Sequence, residues 1–389
     1  MNQREAVEPA IGKAQNPWRD LSAVTPTIAG LITVTLVYAF RAPLFGDLQN
    51  HVHTLLVFLW LFGVILWCAF GVVRHADAVA WRLGEPYGTL VLTLSVSAIE
   101  VSILVSIILH GDNNPTLARD AMFATLMIAL NGLVGAALLM GALRYWKQEY
   151  NLEGARSFLV VIASLAVFAL ILPSFTKTEP DPSLAPFQAG LFGAITMAFY
   201  AIFLAIQTMR HRAFFAEPTN GDSNNSQAKA AYAEHQRSSG SLTYHVVMLL
   251  LTLAPIVVLS EFLAIIVDFG IEDIGLPAPL GGILVAILVL APEGLTALHA
   301  ALDNQLQRAV NVCLGSALAT IGLTIPAVLA VGLYTGSAMH LGLDHVDTVL
   351  LILTLFVSAF TFGGGRTNVL QGAVHLLLFV VYLALIFSP

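Results

Sequence analysis

A chain of 389 residues in which 57% of side chains are hydrophobic and only 11% are charged, with a mean hydropathy of +0.82, cannot present a water-soluble surface. The expected surroundings are a lipid bilayer. The net charge of -7 comes mostly from acidic loops and gives no sign of a nucleic-acid partner.

The first twenty residues are polar and lack the apolar core of a signal peptide, so the N-terminus is expected to stay on the side where it is made. A hydrocarbon core of roughly 30 Å needs about 20 apolar residues of helix. Eleven stretches qualify, near 24–40, 53–73, 88–109, 118–143, 157–173, 187–208, 243–267, 279–301, 309–334, 347–363 and 368–387. The polar stretch from Arg210 to Ser241, rich in Asn, Ser, Gln and Ala, is predicted to be a linker. The predicted fold class is therefore an all-α polytopic membrane protein. Its expected organisation is a tail (1–23), a first helix with its loop (24–50), a five-helix set (51–208), a cytoplasmic linker (209–242) and a second five-helix set (243–389).

Charge supports this threading. With the N-terminus in the cytoplasm, 14 of the 17 Lys and Arg residues fall inside, and only Arg41, Arg119 and Lys177 fall outside, as the positive-inside rule demands. Acids mark the opposite face, at Asp181 and in the Asp268, Glu272, Asp273 cluster. Because five is odd, the second set enters the membrane from the other side, which is the inverted-repeat plan of secondary transporters.

Two carboxylates stand in the apolar stretches, Glu100 in SVSAIEVSILVS and Glu293 in VLAPEGLTALHA. Each follows the same frame, Pro86-x-Gly88 and Pro279-x-Gly281, with eleven residues between glycine and glutamate. A charge at membrane depth costs several kcal/mol and usually lines an ion or proton pathway. Burial disfavours the ionised carboxylate and a nearby cation favours it, so proton and metal compete for the same oxygens. If only the protonated or metal-loaded site can cross between open faces, the two fluxes are coupled.

Ser97 lies one helical turn before Glu100 on the same face. Pro292 beside Glu293 removes a backbone donor and suits a locally broken helix. Hard cations take oxygen ligands, which two carboxylates, hydroxyls, carbonyls and water would supply. Asn131, in the helix after Glu100, and Ser316 with Thr320, in the helix after Glu293, are the further oxygen donors expected at the site. For the hydroxyls the alternative is back-bonding to their own helix. Glu261, seven residues before Asp268 on one face of the seventh helix, suggests an acidic path to the outer surface, with a structural interhelical bond as the alternative.

The histidines and cysteines carry less. His51, His53, His110, His340 and His345 fall at membrane edges or loops, His299 is turned away from Glu293, and His375 reads as a packed, satisfied side chain. Cys68 and Cys313 sit in apolar segments and read as core packing rather than metal or redox groups. The chain has neither a His-Glu-x-x-His helix nor a Gly-x-Ser-x-Gly elbow, so an intramembrane enzyme is not expected. A channel built on the same carboxylates would need a ring from several subunits, whereas one chain here supplies both.

The stretches NNPTLARDAMFATLMIALNGLVGAALLMGALRYW (113–146), QEYNLEGA (148–155) and APEGLTALHAALDNQLQRAVNVCLGSALATIGLTIPAVL (291–329) resemble the Cha-type bacterial calcium/proton antiporters, also described as sodium-potassium/proton antiporters, of the calcium/cation antiporter superfamily. The resemblance covers both halves. It implies a bacterial inner-membrane antiporter that needs no cofactor and exchanges Ca2+, and possibly Na+ or K+, for H+. By position it makes Glu100 and Glu293 the cation- and proton-binding glutamates. It aligns Asn131 with an asparagine of the next helix, Ser316 with a serine of the counterpart helix, and Ser260-Glu261 with a Ser-Glu pair of the seventh helix. Relatives often carry Gly-Asn before the Ala-x-Glu core, where this chain has Ser97 and Leu290, and a histidine where it has Gly294. Fewer amide oxygens make a mainly monovalent antiporter the alternative. Oligomeric state is not legible.

Overall fold

The computed structural model describes residues 21–83, 87–110, 115–176, 184–210, 212–215, 241–336 and 340–387. The N-terminal tail, most of the linker, Pro86, Lys177 and Asp181 lie outside the described residues.

Among the described residues the chain is almost entirely helical. The long helices are α1 (Leu21–Ala39), α2 (His51–Leu83), α3 (Tyr87–His110), α4 (Leu117–Tyr145), α5 (Leu152–Phe175), α6 (Pro186–Met209), α7 (Leu242–Glu272), α8 (Pro279–Leu302), α9 (Leu306–Thr335), α10 (His345–Thr361) and α11 (Val369–Phe387). Eight of these are long and apolar enough to cross a membrane, and α1, α3 and α10 contribute shorter apolar stretches. The departure from an all-helical chain is one antiparallel pair of two-residue strands, in which Gln148 faces Thr367 and Glu149 faces Arg366. An ion pair of 2.5 Å between Arg366 and Glu149 closes it.

Helix ends follow local chemistry. Asn151 caps α5 by accepting from the N–H groups of Glu153 and Gly154, Ser241 caps α7, and Asp344 caps α10. Hydropathy undercounts α2 and α7 because their ends carry polar side chains. Arg74, His75, Asp77 and Arg82 extend α2 well past residue 73, and Asp268 and Glu272 extend α7 past residue 267. The helix continues where the apolar run stops.

Packing places α2 against α7, α4 against α8, and α11 against α4. The core is continuous and made of Leu, Ile, Val, Ala and Phe from all of these helices. Outward faces are also apolar, as at Leu36, Leu56, Val160, Ile202, Leu250 and Leu377. Only a hydrocarbon surrounding suits such a surface.

The loops that charge assigns to one side gather at one end. There the Tyr145 hydroxyl donates to Leu302 O at 2.8 Å, Gln148 Nε2 to Ala301 O at 2.8 Å, the Asn151 N–H to Gln307 Oε1 at 2.5 Å, and Arg156 to Gly363 O at 3.0 Å. At the other end Arg119 donates to Gly342 O at 3.3 Å, the His340 N–H to Pro115 O at 3.0 Å, and Ser174 to Leu343 O at 2.6 Å.

Both α4 and α9 contain a wide π turn, Ile128–Leu133 in one and Thr320–Thr324 in the other. Their starts are separated by the same interval, to within one residue, as Glu100 and Glu293. The expectation of a broken helix at Pro292 does not hold. Helix α8 runs through Pro292 from Pro279 to Leu302, whereas π turns lie in the helices that follow each glutamate and also in α5 (Val167–Ile171) and at the end of α6 (Ile206–Arg210).

Candidate cation-binding site

Glu100 on α3 and Glu293 on α8 line one cavity of about 500 Å³. Ser97 and Leu290, which precede the two glutamates by one turn, are in its wall, as are Ser316 and Thr320. Glu100 is only 2% exposed. The Thr320 hydroxyl donates to Glu100 Oε2 at 2.8 Å, and the Ser316 hydroxyl donates to Glu293 Oε2. Back-bonding to α9, the other course open to these hydroxyls, is therefore not what they do.

One helix thus serves both carboxylates. Ser316 and Thr320 are four residues apart, so they stand on one face of α9. Counting back by the interval between the glutamates, Phe123 and Met127 occupy the matching positions of α4, and both are apolar. The donor set is asymmetric within an otherwise repeated frame.

Each glutamate has one oxygen in a hydrogen bond to α9. Glu100 Oε1 is fully buried and accepts no hydrogen bond from any described residue. An ionised carboxylate in that position is costly unless a proton or a cation completes it. The side chains that hydrogen-bond to the carboxylates, Ser316 and Thr320, present oxygen, the donor type that hard cations take. At roughly 30 Å³ per water, the cavity has room for a partly hydrated ion.

The cavity extends from the glutamates past Tyr200, Gln207 and Phe215 to Asp77, Arg308 and Asn311. Arg308 belongs to the end where Tyr145, Gln148 and Asn151 meet α8 and α9. The cavity therefore reaches towards that end of the helices.

Two expected site residues are placed elsewhere. Asn131 is fully buried in the π turn of α4 and does not line the cavity. Its amide donates to Thr354 Oγ1 at 2.8 Å, and its Oδ1 is 3.1 Å from His375 Nδ1, while His375 Nε2 lies 3.0 Å from Thr361 Oγ1. Asn131 and His375 thereby tie α4 to α10 and α11. Glu261 is half-buried on α7 and also lies outside the cavity wall. Its neighbour Ser260 back-bonds to Val257 O at 2.8 Å.

Asp77, Tyr200, Gln207, Arg308 and Asn311 were not singled out by sequence. Asp77 and Arg308 sit at polar helix ends, where a charge is unremarkable, and Tyr200 has no local pattern around it. The His75–His245 pair, with ring nitrogens 3.1 Å apart between α2 and α7, was missed for the same reason. Cys68 and Cys313 are buried and free, and no group of three or more metal-type His, Cys, Asp or Glu side chains occurs among the described residues.

The sequence profile of the sodium/calcium exchanger protein family matches residues 53–209 and 244–388, which is most of the chain and includes both glutamates. The chain belongs to this family. Members are transporters, so the protein is a multi-pass membrane transporter and not an enzyme. It is 39% identical over 324 residues to the sodium-potassium/proton antiporter ChaA of Escherichia coli (strain K12), covering 83% of this chain and 87% of that one. It is 25% identical over 267 residues to the Ca2+/H+ antiporter of Aphanothece halophytica, covering 66% and 70%. Its fold is similar to the crystal structure of the Ca2+/H+ antiporter YfkE, with a TM-score of 0.71 at 19% identity over 94% of this chain and 99% of that one. The family match falls in two stretches, on either side of residues 210–243, with one glutamate in each.

Proposed function

We propose that this chain is a secondary antiporter of a bacterial inner membrane that expels Ca2+, and also Na+ or K+, in exchange for H+ by alternating access at Glu100 and Glu293. The N-terminus is cytoplasmic in this reading, α1 is an extra helix, and 51–208 and 243–389 are two inverted five-helix repeats joined by the 209–242 linker. The matched spacing of the π turns with the glutamates supports the repeats.

The observation that carries the reading is the pair of carboxylates in one cavity, each held by a hydroxyl of α9. A carboxylate exchanges a proton for a metal without any other chemistry. The empty, doubly charged site is the state least able to cross a low-dielectric interior, so each crossing carries either cation or proton. Ser97 stands beside Glu100 and completes an oxygen-lined wall, whereas Leu290 adds no ligand beside Glu293. Monovalent exchange is favoured by the relative in Escherichia coli, which is named a sodium-potassium/proton antiporter.

Flux in proteoliposomes, with and without an imposed pH gradient, tests this. Glu100→Gln and Glu293→Gln are each expected to abolish coupled exchange while the protein still folds and inserts, because the amide imitates only the protonated state. Near wild-type exchange by either variant removes that residue from the mechanism. Cation flux that needs no counter-flow of protons would instead mark a channel.

A further inference from the structure

Tyr200 of α6 is 3% exposed and shares the cavity wall with Glu100 and Thr320. Its hydroxyl is buried and makes no hydrogen bond to any described residue. A buried phenol almost always has a partner, and leaving one without carries a desolvation penalty.

Packing explains the ring but not the hydroxyl. The ring lies against Gly322, inside the π turn that Thr320 begins, where an added Cβ would come within 2.6 Å of Tyr200 Cγ and Cδ2. Only glycine permits that approach. The π turn of α4 repeats the arrangement, with Gly132 facing the ring of Phe379 on α11, 3.5 Å from where a Cβ would stand. That ring carries no hydroxyl, and α4 holds neither glutamate. The aromatic-on-glycine contact therefore needs no phenol.

Two more oxygens nearby are in the same condition. Glu100 Oε1 and Thr324 Oγ1 are both buried without a hydrogen bond of regular geometry, and the Thr324 hydroxyl lies close enough to the Glu100 carboxylate to act on it as a donor. A hard cation that keeps part of its water would satisfy such oxygens directly or through one bridging water.

Resting on the cavity being the cation path, we propose that the Tyr200 hydroxyl contacts the transported alkali or alkaline-earth cation, or its remaining hydration shell, in the cavity whose wall it shares with Glu100. Tyr200 is then a specificity-determining residue of the exchange, and its ring positions the turn that carries Thr320.

The test compares Tyr200→Phe with Glu293→Gln in proteoliposomes, with Ca2+, Na+ and K+ each driven against an imposed pH gradient. Tyr200→Phe keeps the ring on Gly322 and removes only the hydroxyl's proposed contact with the cation or its water, so the half-saturating concentration of at least one cation should rise about three- to tenfold. The maximal rate should stay within about twofold, since a single contact common to the bound states is lost. Calorimetric titration of Ca2+ into the detergent-purified protein reads the same contact without turnover. Unchanged half-saturation for all three cations, or a fall in maximal rate alone, overturns the assignment and leaves Tyr200 a packing residue. If Glu293→Gln exchanges normally, the reading of the cavity itself fails. If Glu293→Gln is inactive while Tyr200→Phe binds like wild type, only the role of Tyr200 fails.

Discussion

Thr320 donates to Glu100 Oε2 at 2.8 Å across 220 residues of chain, while Ser316, one turn earlier on the same helix, donates to Glu293. The two carboxylates sit on different helices, α3 and α8, in the two halves of the chain. Helix α9 holds one with each hydroxyl, so a shift or rotation of α9 changes the surroundings of both glutamates together. A π turn beginning at Thr320 gives that helix a place to shift, since the wide turn is less regular than the α-helix on either side.

The two hydroxyls stabilise the ionised form of the carboxylate that each faces, because they donate to it. Thr320→Val keeps the branched shape and removes the donor to Glu100. Without it the proton is held more tightly relative to the metal, so the pH of half-maximal exchange should move to higher pH and the half-saturating cation concentration should rise by about three- to tenfold. Ser316→Ala is expected to act in the same direction through Glu293. Exchange measured in everted vesicles over a range of pH checks both. A shift to lower pH in either variant would show that the hydroxyl serves the protonated carboxyl instead.

Asn131 and His375 lead to a separate expectation. Their hydrogen bonds join α4 to α10 and α11 through Thr354 and Thr361, away from the cavity. Interhelical bonds of this kind contribute on the order of 1 kcal/mol. Asn131→Ala should lower the thermal unfolding midpoint in detergent and leave the half-saturating concentrations of Ca2+, Na+ and K+ within about twofold of wild type. A change in cation affinity with no loss of stability would return Asn131 to the ion path.

The carboxylates were legible in the sequence because a charge inside an apolar run is rare, and because the same proline and glycine precede each one. Ser316 and Thr320 were legible from their spacing and their helix. Asn131 was not, because sequence gives depth in the bilayer but not rotation about the helix axis. The π turn Ile128–Leu133 adds a residue to the turn and displaces the 3.6-residue pattern at the point where Asn131 sits. Phe123 and Met127 take the positions on α4 that match Ser316 and Thr320, and Asn131 is left facing α10 and α11. Tyr200 was invisible for another reason: its contacts are with Gly322, more than a hundred residues away, and no local pattern announces them. The loops meeting at each end were foreseen through charge alone, which sorts sides but cannot say which loops touch.

The linker is expected to be a tether, since Asn, Ser, Gln and Ala dominate residues 218–238 and no apolar pattern runs through them. Deleting 218–238 should leave exchange within about threefold of wild type, provided the remaining residues still span the ends of α6 and α7. The measurement is proton-coupled Ca2+ flux in vesicles, with the amount of inserted protein determined alongside. Complete loss of exchange in a correctly inserted deletion would make the segment regulatory or structural.

Selectivity rests on the charge of the pair. Ser97 and Leu290 both line the cavity, so in the proposed site a divalent ion would be held mainly by Glu100 and Glu293 with hydroxyls and water around them. Calcium needs both carboxylates ionised to balance its charge, whereas Na+ or K+ is balanced by one, with the other still protonated. Two ionisations depend on pH more steeply than one, so Ca2+ exchange should climb faster than Na+ or K+ exchange as pH rises. Ser97→Asn puts an amide oxygen beside Glu100 and should move the preference towards Ca2+, which gains more from an added oxygen ligand than a weakly held monovalent ion does. Initial rates for the three cations over one pH series, in wild type and Ser97→Asn, decide the matter. Parallel pH profiles together with an unchanged preference in Ser97→Asn would move the origin of selectivity away from α3 and α8.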